Sequence, residues 1–392
     1  MAQEIYDYII AGGGMAGLSL AFYLNESVLR DRKILVIDRE RKTANDHTYC
    51  FWQREKGAFE EIVFRRWQGV WFRGANGFSE FFDLGDYEYK MIRAVDFYEF
   101  VRRKLRANSN FVFLQANIQK ARSNERETVV ETSAGEFQAR EFVFDSFTRK
   151  NYDDPGYQNL WQHFAGWTIE TDETVFKTDE PTLFDFRVEQ KDECRFVYIL
   201  PFSANRALIE FTVFSDNLLE SAEYEFYLRR YIAEILKIEN YRILETETGV
   251  IPMSDEPHTE FPAAKIIRIG TAGGYVKPST GYSFDRTQRR LQNLVANLET
   301  QSELSAQRSA LSTRRPAWKS YLDGVLLNVL KTKKHPAAEV FTELFARNGA
   351  RQMLKFLDED TTLTEDLRIM RTVPLAPFTR AAMETGLKTL RF

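Results

Sequence analysis

The sequence predicts a mixed α/β protein with a helical C-terminal part, and three patterns carry that prediction. A glycine-rich turn joins a buried strand to a helix near the N-terminus, alternating aromatic strands occupy the middle of the chain, and the residues from 309 onward follow helical spacing. With 392 residues, the chain exceeds the usual size of a single domain. We therefore expect an α/β part built on the glycine-rich turn, an antiparallel sheet and a group of helices.

The N-terminal pattern is the most specific of the three. Residues 6–11 form a buried strand, and Gly12, Gly14 and Gly17 follow with the spacing G-x-G-x-x-G where a helix begins. The next strand ends on Asp38, about twenty residues after the last glycine, where a carboxylate can hold the ribose hydroxyls of an adenosine. The N–H groups of the helix N-terminus suit a pyrophosphate. These features predict a dinucleotide site. Its other candidate contacts are Gly13, Met15, Ala16 and Arg39.

The composition argues against several classes of protein. A net charge of −4 gives no reason to expect a nucleic-acid partner. Two cysteines and four histidines without ligand-like spacing predict neither a disulfide framework nor a metal site. No signal-peptide pattern opens the sequence, and no apolar run approaches the roughly 20 residues of a membrane span. We therefore expect a cytoplasmic protein with at most peripheral membrane contact. The 32 phenylalanines fit either a large apolar pocket or a Phe-rich core.

The order of the elements predicts a nucleotide domain that the chain leaves and re-enters. In chain order, the elements predicted after the first unit are aromatic strands within 67–83, a helix at 96–105, strands at 111–114 and 129–144, strands at 194–200 and 207–214, and an amphipathic helix at 221–236. The predicted division is a nucleotide domain over 1–60, 90–150 and 245–308, a β-sheet substrate domain over 61–89 and 151–244, and a helical region over 309–392.

A second glycine-rich segment begins where a strand at 266–269 ends, and it leads into the run Pro-Ser-Thr-Gly-Tyr at 278–282. A NAD dehydrogenase needs no such segment. It resembles the second flavin segment of the two-domain flavoproteins related to aromatic hydroxylases, where a helix N-terminus faces the isoalloxazine ring. The resemblance implies a Rossmann-like FAD-binding domain. The residues that it assigns to FAD are Arg93, Gly270, Thr271, Ala272, Gly273, Pro278, Thr280, Gly281 and Tyr282. Thr271 replaces the Asp usual in that class, and a surface position for Arg93 is the alternative.

The strand pair at 196–203 and 207–215 narrows the class further, because it resembles the signature of the lycopene cyclase family, in which one strand carries an essential acid. The resemblance extends over nearly the whole chain. Its other segments are 45–49, 184–187, 247–253, 270–284 and 356–378. Phe211 stands where many relatives have a second acid, and Tyr49 where many have Trp. A mechanism that needs two adjacent acids on this strand is therefore in doubt.

The resemblance implies that linear carotenoid end groups are cyclised to β-ionone rings by an acid, with reduced FAD, NAD(P)H as the reductant and no net redox change. Glu210 would be the acid. Strand alternation places it on one face with Leu208 and Thr212, and an apolar cavity there would keep the carboxyl protonated. An exposed glutamate is the alternative from the strand alone. The other candidates are Asp185, as a partner acid or for a structural hydrogen bond at the flavin, and the substrate contacts His47, Phe184 and Phe211; His47 could instead cap a loop.

Other functions and surfaces stay open. A flavin hydroxylase or an isoprenoid reductase would share both glycine-rich segments, and a non-catalytic flavin- or carotenoid-binding protein would share the fold. The apolar residues within 321–330 are followed at once by Lys331, Lys333 and Lys334. That pairing suits docking on an anionic membrane, or a helix packed on the body with a solvated basic end. The ring outcome, the number of cyclised ends and the oligomeric state are not encoded in any of these patterns.

Overall fold

The computed structural model describes residues 4–124, 126–300 and 316–389. The strands within these ranges are β1 (Ile5–Ala11), β2 (Ile34–Asp38), β3 (Thr48–Gln53), β4 (Arg65–Trp67), β5 (Gly69–Arg73), β6 (Ser79–Asp83), β7 (Glu88–Arg93), β8 (Phe111–Gln115), β9 (Ile118–Ser123), β10 (Thr128–Thr132), β11 (Gly135–Asp145), β12 (Asn159–Glu170), β13 (Thr182–Asp185), β14 (Cys194–Ser203), β15 (Arg206–Ser215), β16 (Arg242–Ser254) and β17 (Ile266–Arg268).

The helices of the described chain alternate with these strands at first and then follow one another. They are α1 (Met15–Asn25), α2 (Ala94–Leu105), α3 (Ser221–Glu234), α4 (Phe284–Thr300), α5 (Ala317–Lys331), α6 (Ala337–Leu357), α7 (Leu363–Met370) and α8 (Leu375–Thr389). The helices predicted at 96–105 and 221–236 are thus present as α2 and α3, within two residues at each end.

The first sheet has the order β8-β2-β1-β11-β10-β9, with β17 beside β11. Its central strands β8, β2, β1, β11 and β17 run parallel. Helices α1, α2 and α4 cover one face, and strands buried on both faces read as continuous apolar runs. Gly17 lets α1 lie close to β1, because a Cβ at this position would stand 1.9 Å from the Gly12 carbonyl oxygen. The predicted strand, glycine turn and helix are confirmed.

The second sheet has the order β16-β12-β15-β14-β13-β5-β6 and is antiparallel except where β13 runs parallel to β5. Helix α3 packs on one face, while α5 and α6 pack on the other. The predicted boundary at residue 245 is wrong, because β16 pairs with β12 from Arg242 through Ser254. Residues 245–254 therefore belong to the sheet of the substrate part. A small antiparallel sheet, β3-β7-β4, lies between the two parts of the chain.

The C-terminal helices pack on the body of the protein. The apolar face of α5 is buried at Val325, Leu327 and Val329, and the Nζ of Lys334 lies 2.8 Å from a carboxylate oxygen of Glu384. Two arrangements were considered for this helix, docking on a membrane and packing on the body of the protein, and the structure shows the packed one. The predicted boundary between 308 and 309 lies outside the described residues. Among the described residues, no helix combines the length and apolarity that crossing a membrane requires.

Candidate active site

A cavity of about 400 Å³ lies where the carboxyl edge of the first sheet faces the second sheet. Gly14 and Gly270 line it from the first sheet, and Gln162 on β12 and Glu210 on β15 line it from the second. The two glycine-rich segments touch, because a Cβ at Gly270 would stand 2.7 Å from the Cβ of Ala16. Open α/β sheets bind ligands at the carboxyl ends of their strands. The chain thus brings both predicted cofactor segments to one cavity.

The lining of this cavity fits FAD. Three buried polar atoms, Gln162 Oε1, Thr280 Oγ1 and Thr287 Oγ1, have no hydrogen-bond partner within the described part of the chain, and all three residues line the cavity. Buried polar atoms are normally paired, so a ligand rich in donors and acceptors would satisfy them. No atom lies within 4 Å of the place a Cβ would take at Gly14, which leaves room for a pyrophosphate at the N-terminus of α1.

Most of the residues predicted to hold FAD lie at or under this cavity. Those that line it are Gly14, Met15, Ala16, Gly270, Thr271, Thr280, Gly281 and Tyr282. Gly12 and Gly13 form the turn beneath it, Gly17 lies in the first turn of α1, and the Gly13 N–H donates to Asp38 Oδ2 at 2.7 Å. Ala272 is buried behind the second segment, while Gly273 and Pro278 line a neighbouring cavity.

Two predicted cofactor residues lie elsewhere. Arg39 is exposed and pairs with Glu40. Arg93 stands immediately before α2, as predicted, but its guanidinium makes two hydrogen bonds to Asp96, at 2.6 and 2.8 Å, and covers the ring of Phe64. Its side chain lines a smaller cavity rather than the large one. The expected flavin contact of Arg93 is therefore corrected, because a carboxylate in the first turn of α2 already holds the guanidinium.

Glu210 lies in the floor of the cavity on β15, together with Leu208. Thr212, on the same face, donates its hydroxyl to Glu210 Oε1 at 3.0 Å. Burial raises the pKa of the Glu210 carboxyl well above its usual range, and the nearby charge of Glu247 and a hydrogen bond to it raise it further. The raised pKa favours the protonated form of the carboxyl, which can donate a proton.

Glu247 is the residue that sequence reasoning missed. In the register of the sheet, both Glu210 on β15 and Glu247 on β16 pair with Gly166 of β12. Gly166 has no side chain, and a Cβ there would stand 3.1 Å from Glu247 Cγ and 3.3 Å from Glu210 Cβ. The two carboxyl groups meet over this gap. Thr48 Oγ1 donates to Glu247 Oε2 at 2.7 Å.

The carboxyl group beside Glu210 therefore comes from a different strand, β16, and not from position 211. Burial raises the pKa of Glu247, whereas the hydrogen bonds from Thr48 and Glu210 and the charge of His47 lower it. The alternation of acids along β16 was the available signal. It could not reveal the pairing with Glu210, because that depends on how two distant strands align with β12.

Aromatic side chains form much of the remaining wall. The rings that line the cavity are Tyr49, Tyr89, Tyr98, Phe164, Tyr198, Tyr282 and Phe284. Tyr198 pairs with Glu210 across β14 and β15, and its hydroxyl lies 3.4 Å from that of Tyr282. Burial raises the pKa of both phenols, so they stay neutral. Neutral aromatic faces attract a cation, and the cavity can therefore hold a positive charge on an apolar ligand.

Asp185 is not brought to this cavity. It is fully buried on the α3 side of the sheet, where Arg187 donates to both carboxylate oxygens and Tyr231 donates its hydroxyl at 2.5 Å. The reason is strand alternation, since Asp185 pairs in register with Val197, whose side chain packs in the cluster beneath α3. The prediction of Asp185 as a partner acid is corrected. Its carboxylate holds β13 and α3 together.

Of the three predicted substrate contacts, one lies at the cavity and two lie elsewhere. His47 lines the cavity. Phe211 lies on the opposite face of the sheet and stacks on Tyr227 of α3, with ring centroids 5.0 Å apart. Phe184 is buried against Phe341 of α6, away from the cavity. The expected contacts of Phe211 and Phe184 with a substrate are therefore corrected, because each ring is packed against a helix.

The fold and the cavity define a class of fold, which is the Rossmann-like flavoprotein fold. A flavin-dependent brominase, Bmp2, has the same fold with a TM-score of 0.64 and 13% identity, over 91% of this chain and 94% of that chain. A geranylgeranyl bacteriochlorophyll reductase-like protein from Thermoplasma acidophilum gives a TM-score of 0.58 and 14% identity, over 99% of this chain and 98% of that chain. The predicted Rossmann-like flavoprotein fold is confirmed.

The sequence comparisons narrow this class to one family. The model of the lycopene cyclase protein family matches residues 7–383, and the chain belongs to the lycopene cyclase family. The lycopene beta-cyclase of Pantoea ananas is 22% identical over 405 residues, covering 99% of this chain and 100% of the relative. The chloroplastic lycopene beta cyclase of Arabidopsis thaliana is 28% identical over 304 residues, covering 73% of this chain. That match spans 58% of the length of the plant protein. The predicted resemblance is confirmed.

Proposed function

We propose that the protein is a lycopene β-cyclase, which converts the linear ψ end groups of lycopene to β-ionone rings and gives β-carotene through the monocyclic γ-carotene. The observation that carries the proposal is the position of the Glu210 carboxyl in the cavity, beside apolar and aromatic walls, where burial raises its pKa. Membership of the lycopene cyclase family supports the choice of substrate. An acid in the floor of the cavity favours acid-initiated cyclisation over hydroxylation or reduction.

Glu210 starts the reaction by donating its proton to C2 of the end group, which leaves a cation at C1. The C5–C6 double bond attacks C1, closes the ring and moves the charge to C5, and loss of the C6 proton then forms the C5–C6 double bond of the β ring. The rings of Tyr198 and Tyr282 stabilise the passing cation through their faces. The apolar wall at Leu208 and Phe164 keeps water from capturing it.

The cofactor of the proposal is FAD, which Gly14, Asp38 and Thr280 would hold. In its reduced form it would supply an electron-rich ring system that stabilises a cation. Lycopene and its product are isomers, so NAD(P)H would be needed only to bring the flavin to its reduced state. The side chains of this protein that act in the proposed reaction do not change their oxidation state.

The substrate also bears on location, because lycopene dissolves in membranes and not in water. We propose peripheral association with the inner face of the membrane. Support comes from apolar side chains on the C-terminal helices that are at least half exposed, at Leu363, Leu367 and Leu375. Exposed apolar side chains of this kind suit a lipid surface.

Two experiments test the proposal. The first is expression in a host that accumulates lycopene, where we expect β-carotene and γ-carotene to appear. The second is anaerobic turnover by the purified, FAD-loaded protein with catalytic NADPH, where the product should have the mass of lycopene. Consumption of oxygen or NADPH in proportion to product would establish a hydroxylase or reductase instead. Bound pigment without conversion would establish a carotenoid-binding protein.

A further inference from the structure

The pairing of β15 and β16 with β12 does not require contact between the Glu210 and Glu247 carboxyl groups. Two carboxyl groups buried together destabilise each other unless they share a proton. An apolar pair at these positions would pack without that cost. The chain nevertheless keeps Gly166 between them, and any side chain there would contact both glutamates. The arrangement therefore points to a use for the pair in the reaction.

The two carboxyl groups are not equivalent. Thr48 donates its hydroxyl to Glu247 at 2.7 Å, and the positive charge of a protonated His47 would favour a carboxylate there. Glu210, in contrast, faces Leu208 and the aromatic wall, and its contacts with Thr212 and Glu247 leave it without a nearby cationic partner among the described residues. Burial raises the pKa of both groups, so the pair holds a shared proton. Because Thr48 and the charge of His47 favour the charged form of Glu247, whereas no cation of the described chain acts on Glu210, the shared proton rests on Glu210, and Glu247 is the carboxylate.

The chemistry of the ring needs a proton donor and a proton acceptor close together. The proton added at C2 and the proton lost from C6 sit on carbons that are both bonded to C1 once the ring has closed. A donor and an acceptor for these carbons must be neighbours. Two carboxyl groups in contact on one face of a sheet meet that requirement. Glu210 lines the large cavity, Glu247 lines the smaller cavity beside it, and Thr48 and Leu208 line both.

We infer that Glu247 is the catalytic base that removes the C6 proton, and that it returns this proton to Glu210. The inference rests on the proposed cyclase function. In balance, the Glu210 carboxyl proton moves to C2, and the C6 proton moves to the Glu247 carboxylate as the C6–H electron pair forms the C5–C6 double bond. The proton then passes along the hydrogen bond from Glu247 to the Glu210 carboxylate. No net proton, electron or oxidant enters, and both glutamates regain their starting states.

The test uses FAD-loaded protein, reduced and kept anaerobic, with lycopene in D₂O. The variants are Glu210→Gln, Glu247→Gln and the matched control Glu245→Gln, which changes an exposed acid two residues away on the same strand. Product rings are identified by chromatography, and deuterium is located by mass spectrometry in the products and in the recovered lycopene. The flavin absorbance spectrum and the melting temperature show that each variant is folded and loaded.

We expect the wild-type protein and Glu245→Gln to form β rings that carry deuterium at C2, because the proton shared by the two carboxyl groups exchanges with D₂O between turnovers. Glu210→Gln should form no ring and take up no deuterium. Glu247→Gln should lose β-ring formation by a factor on the order of 10²–10⁴ but keep the first protonation. Deuterium should then appear in the recovered lycopene, because the protonation at C2 reverses. It should otherwise appear in ring products whose double bond lies outside C5–C6.

Two results would overturn the inference. One is β-ring formation by Glu247→Gln at the rate of the control. The other is a folded, flavin-loaded Glu247→Gln protein that takes up no deuterium, as Glu210→Gln does. Failure of the wild-type protein to cyclise lycopene would instead refute the proposed function itself. If Glu247→Gln does not fold, Thr48→Val replaces it, because this variant keeps both carboxyls and removes a donor to Glu247. Slower β-ring formation with continued deuterium uptake supports the inference, and an unchanged rate contradicts it.

Discussion

Replacing Gly166 by alanine should separate the two active-site carboxyl groups without removing either one. The added Cβ would stand 3.0 Å from Leu208 Cδ1, 3.1 Å from Glu247 Cγ and 3.3 Å from Glu210 Cβ. Contacts this short force the neighbours to move by a few tenths of an ångström, and overpacking of this kind costs about 1–3 kcal/mol of folding stability. The methyl group also fills the gap over which the carboxyls share a proton.

The expected effect on the reaction has a definite sign. Burial remains the main cause of the raised pKa of Glu210, but the contributions of the Glu247 charge and hydrogen bond shrink as the groups part. The pKa of Glu210 therefore falls toward its usual range. Because the proposed acid must be protonated, the cyclisation rate falls as pH rises through that pKa. In Gly166→Ala, this loss of activity should occur at lower pH than in the wild-type protein.

The assay is the pH dependence of anaerobic lycopene cyclisation, measured together with the melting temperature. Gly386→Ala is the control, since its Cβ would meet its nearest neighbour, Tyr321, at 3.8 Å, an ordinary contact far from the cavity. The predicted pKa shift would be refuted if Gly166→Ala had a lower melting temperature but lost activity at the same alkaline pH as the wild-type protein. It would mean that the carboxyls do not influence each other over Gly166.

Three further predictions concern single carboxyl groups. Glu210→Gln should reduce cyclisation by at least a factor on the order of 10²–10⁴ while the flavin absorbance spectrum persists; retained turnover would remove Glu210 from its role as the acid. Asp185→Asn should lower stability by about 1–3 kcal/mol through its buried hydrogen bonds to Arg187 and Tyr231, with the turnover of the folded protein unchanged, and a loss of turnover without unfolding would contradict this. Burial raises the pKa of Asp358 from 3.8 to about 8, so folding stability should decline as pH rises between these values. In Asp358→Asn, the melting temperature should fall less over this pH range. A pH profile of the melting temperature identical to that of the wild-type protein would refute the raised pKa of Asp358.

The parts of the site that lie in one continuous segment could be predicted from the sequence. The spacing of Gly12, Gly14 and Gly17 and the position of Asp38 follow from local geometry, because a strand, a turn and a helix are adjacent in the chain. The face of β15 that carries Glu210 follows from strand alternation alone. The same alternation already placed Phe211 on the opposite face, where the structure has it packed against α3.

The parts that depend on long-range pairing could not be predicted. Glu247 meets Glu210 only because β15 and β16 both align on Gly166 of β12, and no local pattern encodes that register. The surroundings of Asp185 depend in the same way on which side of the sheet α3 covers. The boundary at residue 245 was misplaced for a related reason, since β16 completes the second sheet immediately before the chain returns to the first.

The return of the chain from the second sheet to the first affects how the protein folds during synthesis and how it can be cut into fragments. The first sheet receives its last parallel strand, β17, only after every strand of the second sheet has been synthesised. Domains of larger proteins generally fold as units, the N-terminal one first, during synthesis, but here the N-terminal sheet cannot close before residue 268 has emerged. A fragment that stops before β17 lacks the second glycine-rich segment, and one that stops before β16 also lacks the edge strand that carries Glu247. Splitting the gene at an apparent domain boundary should therefore yield two incomplete sheets rather than one cofactor-binding half and one acid-bearing half.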